Sequence, residues 1–182
     1  MKLLNHTNDV VYAIWNTIAG GNSSTAIPSD NGVGKYWPGE PAQNVLDYNF
    51  TSAYCSSGSC YSGNFTIDCG DNSGLYLTLS SGPFALVAFY FVTGSYSPAR
   101  DPMTITIEGS NSTGSALILG SSWTLIYNGS TGLTVDPGMA TLGTLQIIPD
   151  FQMKFSSYRL LVTSKRDLET CVEYAEFIMI GY

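Results

Sequence analysis

The sequence is poor in charge, and poorest in positive charge. Asp, Glu, Lys and Arg make up 12% of its 182 residues, about half the share usual in a globular protein. Seven Lys and Arg stand against 14 Asp and Glu, for a formal net charge of -7. The seven are scattered, so no basic stripe exists to displace counterions from phosphate, which excludes a nucleic-acid partner. An anionic membrane surface is disfavoured for the same reason. The single histidine, His6, lies near a terminus expected to fray, which leaves no partner for a Ser-His-Asp arrangement. "GDNSG" at 70–74 has a superficial likeness to a serine-protease nucleophile loop, but its order differs and it reads as a turn. Phosphate-binding and dinucleotide glycine motifs are missing. The expectation is a protein that is not an enzyme. Long apolar runs are missing too: "FALVAFYFV" has strand length and cannot span a bilayer as a helix. "MKLL" begins like a signal peptide, but "NHTND" follows where an apolar segment belongs. The expectation is a mature or excised segment, or export by another route.

What is present fits an extracellular β-protein. Hydrophobic residues are 44% and aromatics 13%, enough for the core of one domain. Gly, Ser, Thr and Tyr fill the place of charge. The four cysteines, Cys55, Cys60, Cys69 and Cys171, lack paired C-x2-C spacing and point to disulfides in an oxidising compartment. "CSSGSC" is expected to close on itself as Cys55–Cys60, leaving Cys69–Cys171, with the two other connectivities open. Six of the asparagines, Asn5, Asn22, Asn49, Asn64, Asn111 and Asn128, stand in N-x-S/T sequons. They point to a secreted glycoprotein.

Strand patterns run through most of the chain. "GLYLTLSS" puts Leu75, Leu77 and Leu79 on one face, and "FALVAFYFVTG" is nearly all apolar. "MTITIEG" alternates Met103, Ile105 and Ile107 inward with Thr104 and Thr106 outward. "WTLIYNGS", "YRLLVTSK" and "VEYAEFIMIGY" follow, with turn signals between them at sandwich spacing. No helix is expected after residue 40. Residues 1–20 read as a strand around "VVYAIW", although Val10, Val11, Ile14 and Ile18 have near-helical spacing. Residues 20–43, with five Gly and three Pro, read as a surface loop or irregular wrap.

Several of these pieces, taken in order, resemble a known family. "NVLDYNFTSAY", "RDPMTITIEGSN", "SSWTLIYNG", "YRLLVTSK" and "CVEYAEFIMIGY" are similar to the discoidin-like or galactose-binding-like domains. That family includes the discoidin domains of coagulation factors and many bacterial carbohydrate-binding modules. The resemblance covers roughly residues 40–182. It implies an all-β, eight-stranded jelly-roll β-sandwich over 41–182, with 1–40 as an N-terminal extension, strand or irregular wrap. It also implies adhesion through loops at one end. A structural Ca2+ held by Asp47, Asn49, Ser52 and Glu176 with backbone carbonyls is a further implication, and calcium does take six to eight hard oxygen ligands. Tyr48 stands where that family usually has Gly, and Ser52 where it usually has Thr. A glycan on Asn49 would remove that side chain as a ligand.

The candidate ligand-binding patch is Trp37, Tyr54, Tyr96 and Arg100. Aromatic rings pack on the apolar face of a sugar while polar groups take its hydroxyls. Trp15 and Trp123 read as core, Arg100 with Asp101 as a loop anchor, and Arg159 as a locally paired strand residue. Asp136, Asp150, Asp167 and Glu169 read as solvated loop charge. Two functions follow. One is an extracellular, non-catalytic adhesion module that binds a glycan or matrix component. The other is a structural subunit of a glycosylated filament, coat or matrix that self-assembles by adding "VVYAIW" to a neighbour's sheet edge. In the second, residues 1–20 are dispensable to the sandwich.

Overall fold

The computed structural model describes residues 1–30, 32–149 and 153–182, so Asp150 lies outside the described residues. Thirteen strands form within them: β1 Lys2–Leu3, β2 Val10–Trp15, β3 Ser24–Thr25, β4 Ile27–Pro28, β5 Lys35–Tyr36, β6 Tyr54–Ser56, β7 Gly74–Thr78, β8 Leu86–Thr93, β9 Pro102–Ser110, β10 Thr124–Ser130, β11 Gln146–Ile147, β12 Ser157–Lys165 and β13 Val172–Gly181. Eight of them are longer than two residues, seven within 41–182 and the eighth, β2, from the N-terminal segment. Helical structure among the described residues is confined to short 3-10 segments.

The strands make two sheets. One runs β11-β8-β13-β6-β5-β4, with β1 also on β13, and the other runs β10-β9-β12-β7-β2-β3. A single core fills the space between them. One sheet sends in Phe89, Phe91, Tyr174 and Phe177; the other sends in Leu75, Leu77, Ile105, Ile107, Leu160 and Val162. The apolar alternation seen in β7 and β9 is what lets each strand face this core. Trp123 is buried and donates its indole N–H to the Leu117 carbonyl at 2.9 Å. Trp15 packs half-buried against the core.

Residues 1–40 are woven into both sheets. β2 pairs antiparallel with β7 over Val10–Ile14 and with β3 on its other side. "VVYAIW" is thus a strand, as its composition predicts, with one edge paired to β7 over Val10–Ile14 and the other covered by β3 at Ile14 and Trp15. The turn after β2 is tied to the interior strands β12 and β9 of the same sheet by a buried ion pair. Arg159 on β12 lies directly across from Glu108 on β9, and its Nε donates to the Glu108 carboxylate at 2.6 Å. Glu108 also accepts the Gly20 N–H at 2.7 Å, while Arg159 donates to the Gly21 carbonyl and to Ser23 Oγ. Arg159 is therefore paired with a residue far away in sequence. His6 is buried and paired with Asp9 at 2.9 Å, so that terminus is anchored where fraying was expected.

The disulfides are Cys55–Cys171 and Cys60–Cys69, which corrects the expected pairing. β6 lies beside β13 with Cys55 opposite Glu173, so the sheet carries Cys171 to Cys55. Cys60 and Cys69 then close their own short loop.

Candidate functional site

The connections β8–β9 and β12–β13 leave the sandwich at the same end, because β8 runs antiparallel to β13 and β9 to β12. Against that end sits "WPGE", residues 37–40. Pro38 and Gly39 occupy the middle of a turn closed by the Glu40 N–H on the Trp37 carbonyl at 2.9 Å, the positions these residues favour. The turn is clamped to one strand residue: Trp37 N–H donates to the Cys55 carbonyl and Cys55 N–H to the Glu40 carbonyl. Trp37 and Glu40 are thereby held at the two corners of a fixed support.

The other wall comes from the β8–β9 connection. Pro98 starts a single 3-10 turn, Pro98–Arg100, closed by the Asp101 N–H on the Pro98 carbonyl. The Arg100 guanidinium lies 4.3 Å from the centroid of the Tyr96 ring. It contacts Glu169 at 3.2 Å and Glu173 at 2.9 Å. Burial opposes its charge, but the Glu173 hydrogen bond and the two carboxylate charges outweigh that and raise its pKa above the ordinary value. Gly94 is required here, since a Cβ would come within 2.3 Å of the buried Glu173 carboxylate. The next residue along, Asp101, is anchored separately by Arg166 at 3.1 Å. Burial still pushes its carboxyl up to about 6.

Trp37, Glu40, Cys55, Tyr96 and Arg100 line a cavity of about 250 Å³. Three of the four expected ligand residues meet there. The fourth, Tyr54, does not. It alternates inward on β6, is fully buried, and donates its hydroxyl to the Gly74 carbonyl at 3.1 Å. Trp37 and Tyr96 are exposed, at 43% and 70%, which leaves their rings open to a ligand. Glu40 and Glu173 escaped sequence reading, and Glu169 was read as solvated charge. In sequence only the Pro-Gly turn beside Trp37 marks Glu40. Nothing marks Glu173, which looks like one more residue of a closing strand.

A second constellation forms at the start of "DYNFTS". The 3-10 segment Ala42–Leu46 ends at Asp47. Asp47 accepts the Asn49 N–H at 2.7 Å and the Ser52 hydroxyl at 2.8 Å. Glu176, on β13, is buried beside Asp47, and one of its carboxylate oxygens has no partner. Burial, then the hydrogen bond and charge of Asp47, push its carboxyl up to about 8, against backbone N–H groups of Asn49 and Tyr48. Two carboxyl groups beside one unpartnered oxygen are oxygen ligands of the kind a hard cation takes, short of a full shell. Of the four residues expected to hold calcium, Asp47 contacts both Ser52 and Glu176. The Asn49 side chain does not join them: its carbonyl accepts from the backbone and hydroxyl of Thr51. Tyr48 has φ +60°, the left-handed region that Gly enters without strain. Its hydroxyl is held by the Leu4 carbonyl.

Cys55, Cys171 and Glu173 also lie close together, but the two sulfurs are joined to each other and supply no thiolate. All six sequon asparagines are exposed. No helix among the described residues is long and apolar enough to cross a membrane.

No family model and no curated protein matches the sequence. Solved structures do match in shape. The family 32 carbohydrate-binding module of Clostridium perfringens NanJ, in complex with galactose, superposes with TM-score 0.58 at 9% identity, over 97% of this chain and 96% of that one. A second C. perfringens CBM32 module, in complex with GalNAc-β-1,3-galactose, gives 0.59 at 12% identity, over 99% of this chain and 100% of that one. The F5/8 type C domain of a Bacteroides fragilis protein gives 0.62 at 12% identity, over 98% and 94%. The chain therefore has the galactose-binding-like β-sandwich fold found in family 32 carbohydrate-binding modules and in F5/8 type C, or discoidin-like, domains.

Proposed function

We propose that this protein is a non-catalytic glycan-binding module. In this reading a sugar ring lies in the cavity between Trp37 and Tyr96, with Arg100 and Glu40 taking its hydroxyls. One observation carries the reading: two exposed aromatic rings and two charged side chains, from separate loops, converge on a cavity of about 250 Å³ at one end of the sandwich. The ring supports are rigid. Trp37 is fixed by the turn clamped to Cys55, and Tyr96 lies against an Arg100 that two carboxylates hold in place. That lowers the ordering cost of binding. The carbohydrate-binding modules that share the fold support the same reading.

Three further features belong to the proposal. The protein acts outside the cell, in keeping with two disulfides. Glycans occupy some or all of the exposed sequons. A calcium ion sits at Asp47 and Glu176, with Ser52 and backbone carbonyls completing its shell. There it would neutralise two carboxylates and brace the loop beside β13, a structural role remote from chemistry.

A glycan array probed with the purified protein tests the reading. Binding that is lost in both Trp37→Ala and Tyr96→Ala, with the melting temperature kept, is the expected result. Equal binding by wild type and both variants would sink the proposed site.

A further inference from the structure

Resting on that reading, the charge around the cavity narrows the sugar it takes. One cation and three carboxylates face one another here. Arg100 holds its Nε 3.2 Å from the Glu169 carboxylate without hydrogen-bond alignment, donates one terminal nitrogen to Glu173 at 2.9 Å, and lays its face on Tyr96. Glu173 is buried and matched by that contact. Glu169 also takes the N–H and hydroxyl of Thr170. Glu40 is different. It lines the cavity, and its side chain makes no hydrogen bond or ion pair with the described residues, although its backbone N–H and carbonyl are both used by the turn. Burial first, then the charge of Glu173, raises its pKa, and Arg100 lowers it.

The cavity thus has a surplus of carboxylate beside an exposed indole. The Trp37–Glu40 turn holds their two Cα atoms within about 7 Å of each other. A ligand carboxylate or sulfate would meet Glu40 and Glu173, and Arg100, the cation among the described residues that line the cavity, already has its charge balanced by Glu169 and Glu173. A ligand ammonium would meet Glu40 as a charge-assisted partner and the face of Trp37 as a favourable π surface. We infer that the cavity selects an amino sugar, a hexosamine whose free amine is received by the Glu40 carboxylate while its C–H face lies on Trp37, and that it rejects uronic, sialic and sulfated sugars.

The test is calorimetric titration of the full chain with methyl glycosides of glucosamine and galactosamine, of their N-acetyl forms, and of glucuronic acid. A pH of about 6.5 keeps a free amine protonated and ordinary carboxyl groups ionised. Wild type, Glu40→Gln and Trp37→Ala are compared, with circular dichroism and melting temperature to show that each is folded. The expected result is that the amine glycosides bind best, that Glu40→Gln weakens them about tenfold, and that its effect on the N-acetyl forms is small. Added salt should weaken the amine glycosides alone. Equal affinity for amine and N-acetyl forms, or no change in Glu40→Gln, overturns this inference while the sugar site stands if Trp37→Ala still abolishes binding. Tighter binding of the glucuronide also overturns it. No binding by any glycoside overturns the glycan reading itself.

Discussion

Replacing Glu108 with alanine should destabilise the protein more than any surface substitution, although Glu108 is far from the proposed sugar site. The carboxylate is 1% exposed, and its partner Arg159 is fully buried. The substitution removes the 2.6 Å contact to Arg159 Nε and the acceptor for the Gly20 N–H. What remains is a guanidinium with the Gly21 carbonyl, Ser23 Oγ and the Trp123 ring, and one terminal nitrogen already without a partner. Breaking a buried pair from one side costs about 3–5 kcal/mol, because the surviving charge is left uncompensated. With a urea m-value of about 2 kcal/mol/M, the unfolding midpoint should fall by roughly 1.5–2.5 M. Urea titration followed by tryptophan fluorescence measures it. The double variant Glu108→Leu with Arg159→Met should be the more stable of the two, since removing both charges removes the desolvation penalty with the attraction. A midpoint shift below about 0.5 M in Glu108→Ala, or a double variant worse than the single one, would refute the reasoning.

Other outcomes follow from the same structure. Deleting residues 1–20 removes β2 from beside β7 and the Gly20 contact of Glu108. It should abolish cooperative unfolding, and a truncated chain that still melts cooperatively near wild type would count against it. Glu176 is pushed from an ordinary 4.5 to about 8. Without calcium its proton therefore stabilises the fold fully below the lower value, and that stability is lost as pH rises through about 8. Calcium needs the ionised form, so its stabilisation should grow across this window and the melting temperature in chelator should fall away from that in calcium. Identical curves in chelator and calcium at pH about 8 would remove the ion from the proposal. Changing Cys55 and Cys171 to alanine opens a link between residues 116 apart and should cost about 2–5 kcal/mol. Peptide mapping of the native protein should give the Cys55–Cys171 and Cys60–Cys69 fragments. Gly94→Ala should displace Glu173 from Arg100 and weaken sugar binding while Gly39→Ala does not, as read by titration with the same glycosides.

Sequence alone determined the all-β class and most of the strands. Those features are written in local periodicity: alternating Leu75, Leu77 and Leu79, or Ile105 and Ile107, can bury one face only as strands. It also named Trp37, Tyr96 and Arg100 together, Trp37 as an aromatic in a turn-rich stretch and Tyr96 and Arg100 at the loop before "RDPMTITIEGSN". Tertiary structure decided the rest, because the rest depends on which strands become neighbours. The Cys55–Cys171 bond exists because β6 lies against β13, and no spacing within "CSSGSC" reports that. Tyr54 is in the core and Tyr96 at the rim because adjacent strand residues point to opposite faces while loop residues need not. Glu40, Glu169 and Glu173 belong to one electrostatic site only because two segments far apart in sequence bring them around Arg100. Residues 1–20 are part of the sandwich because β7 has an edge for β2 to fill. Periodicity is a property of a segment and can be read from it, whereas a contact is a property of two segments, and the fold has to bring them together first.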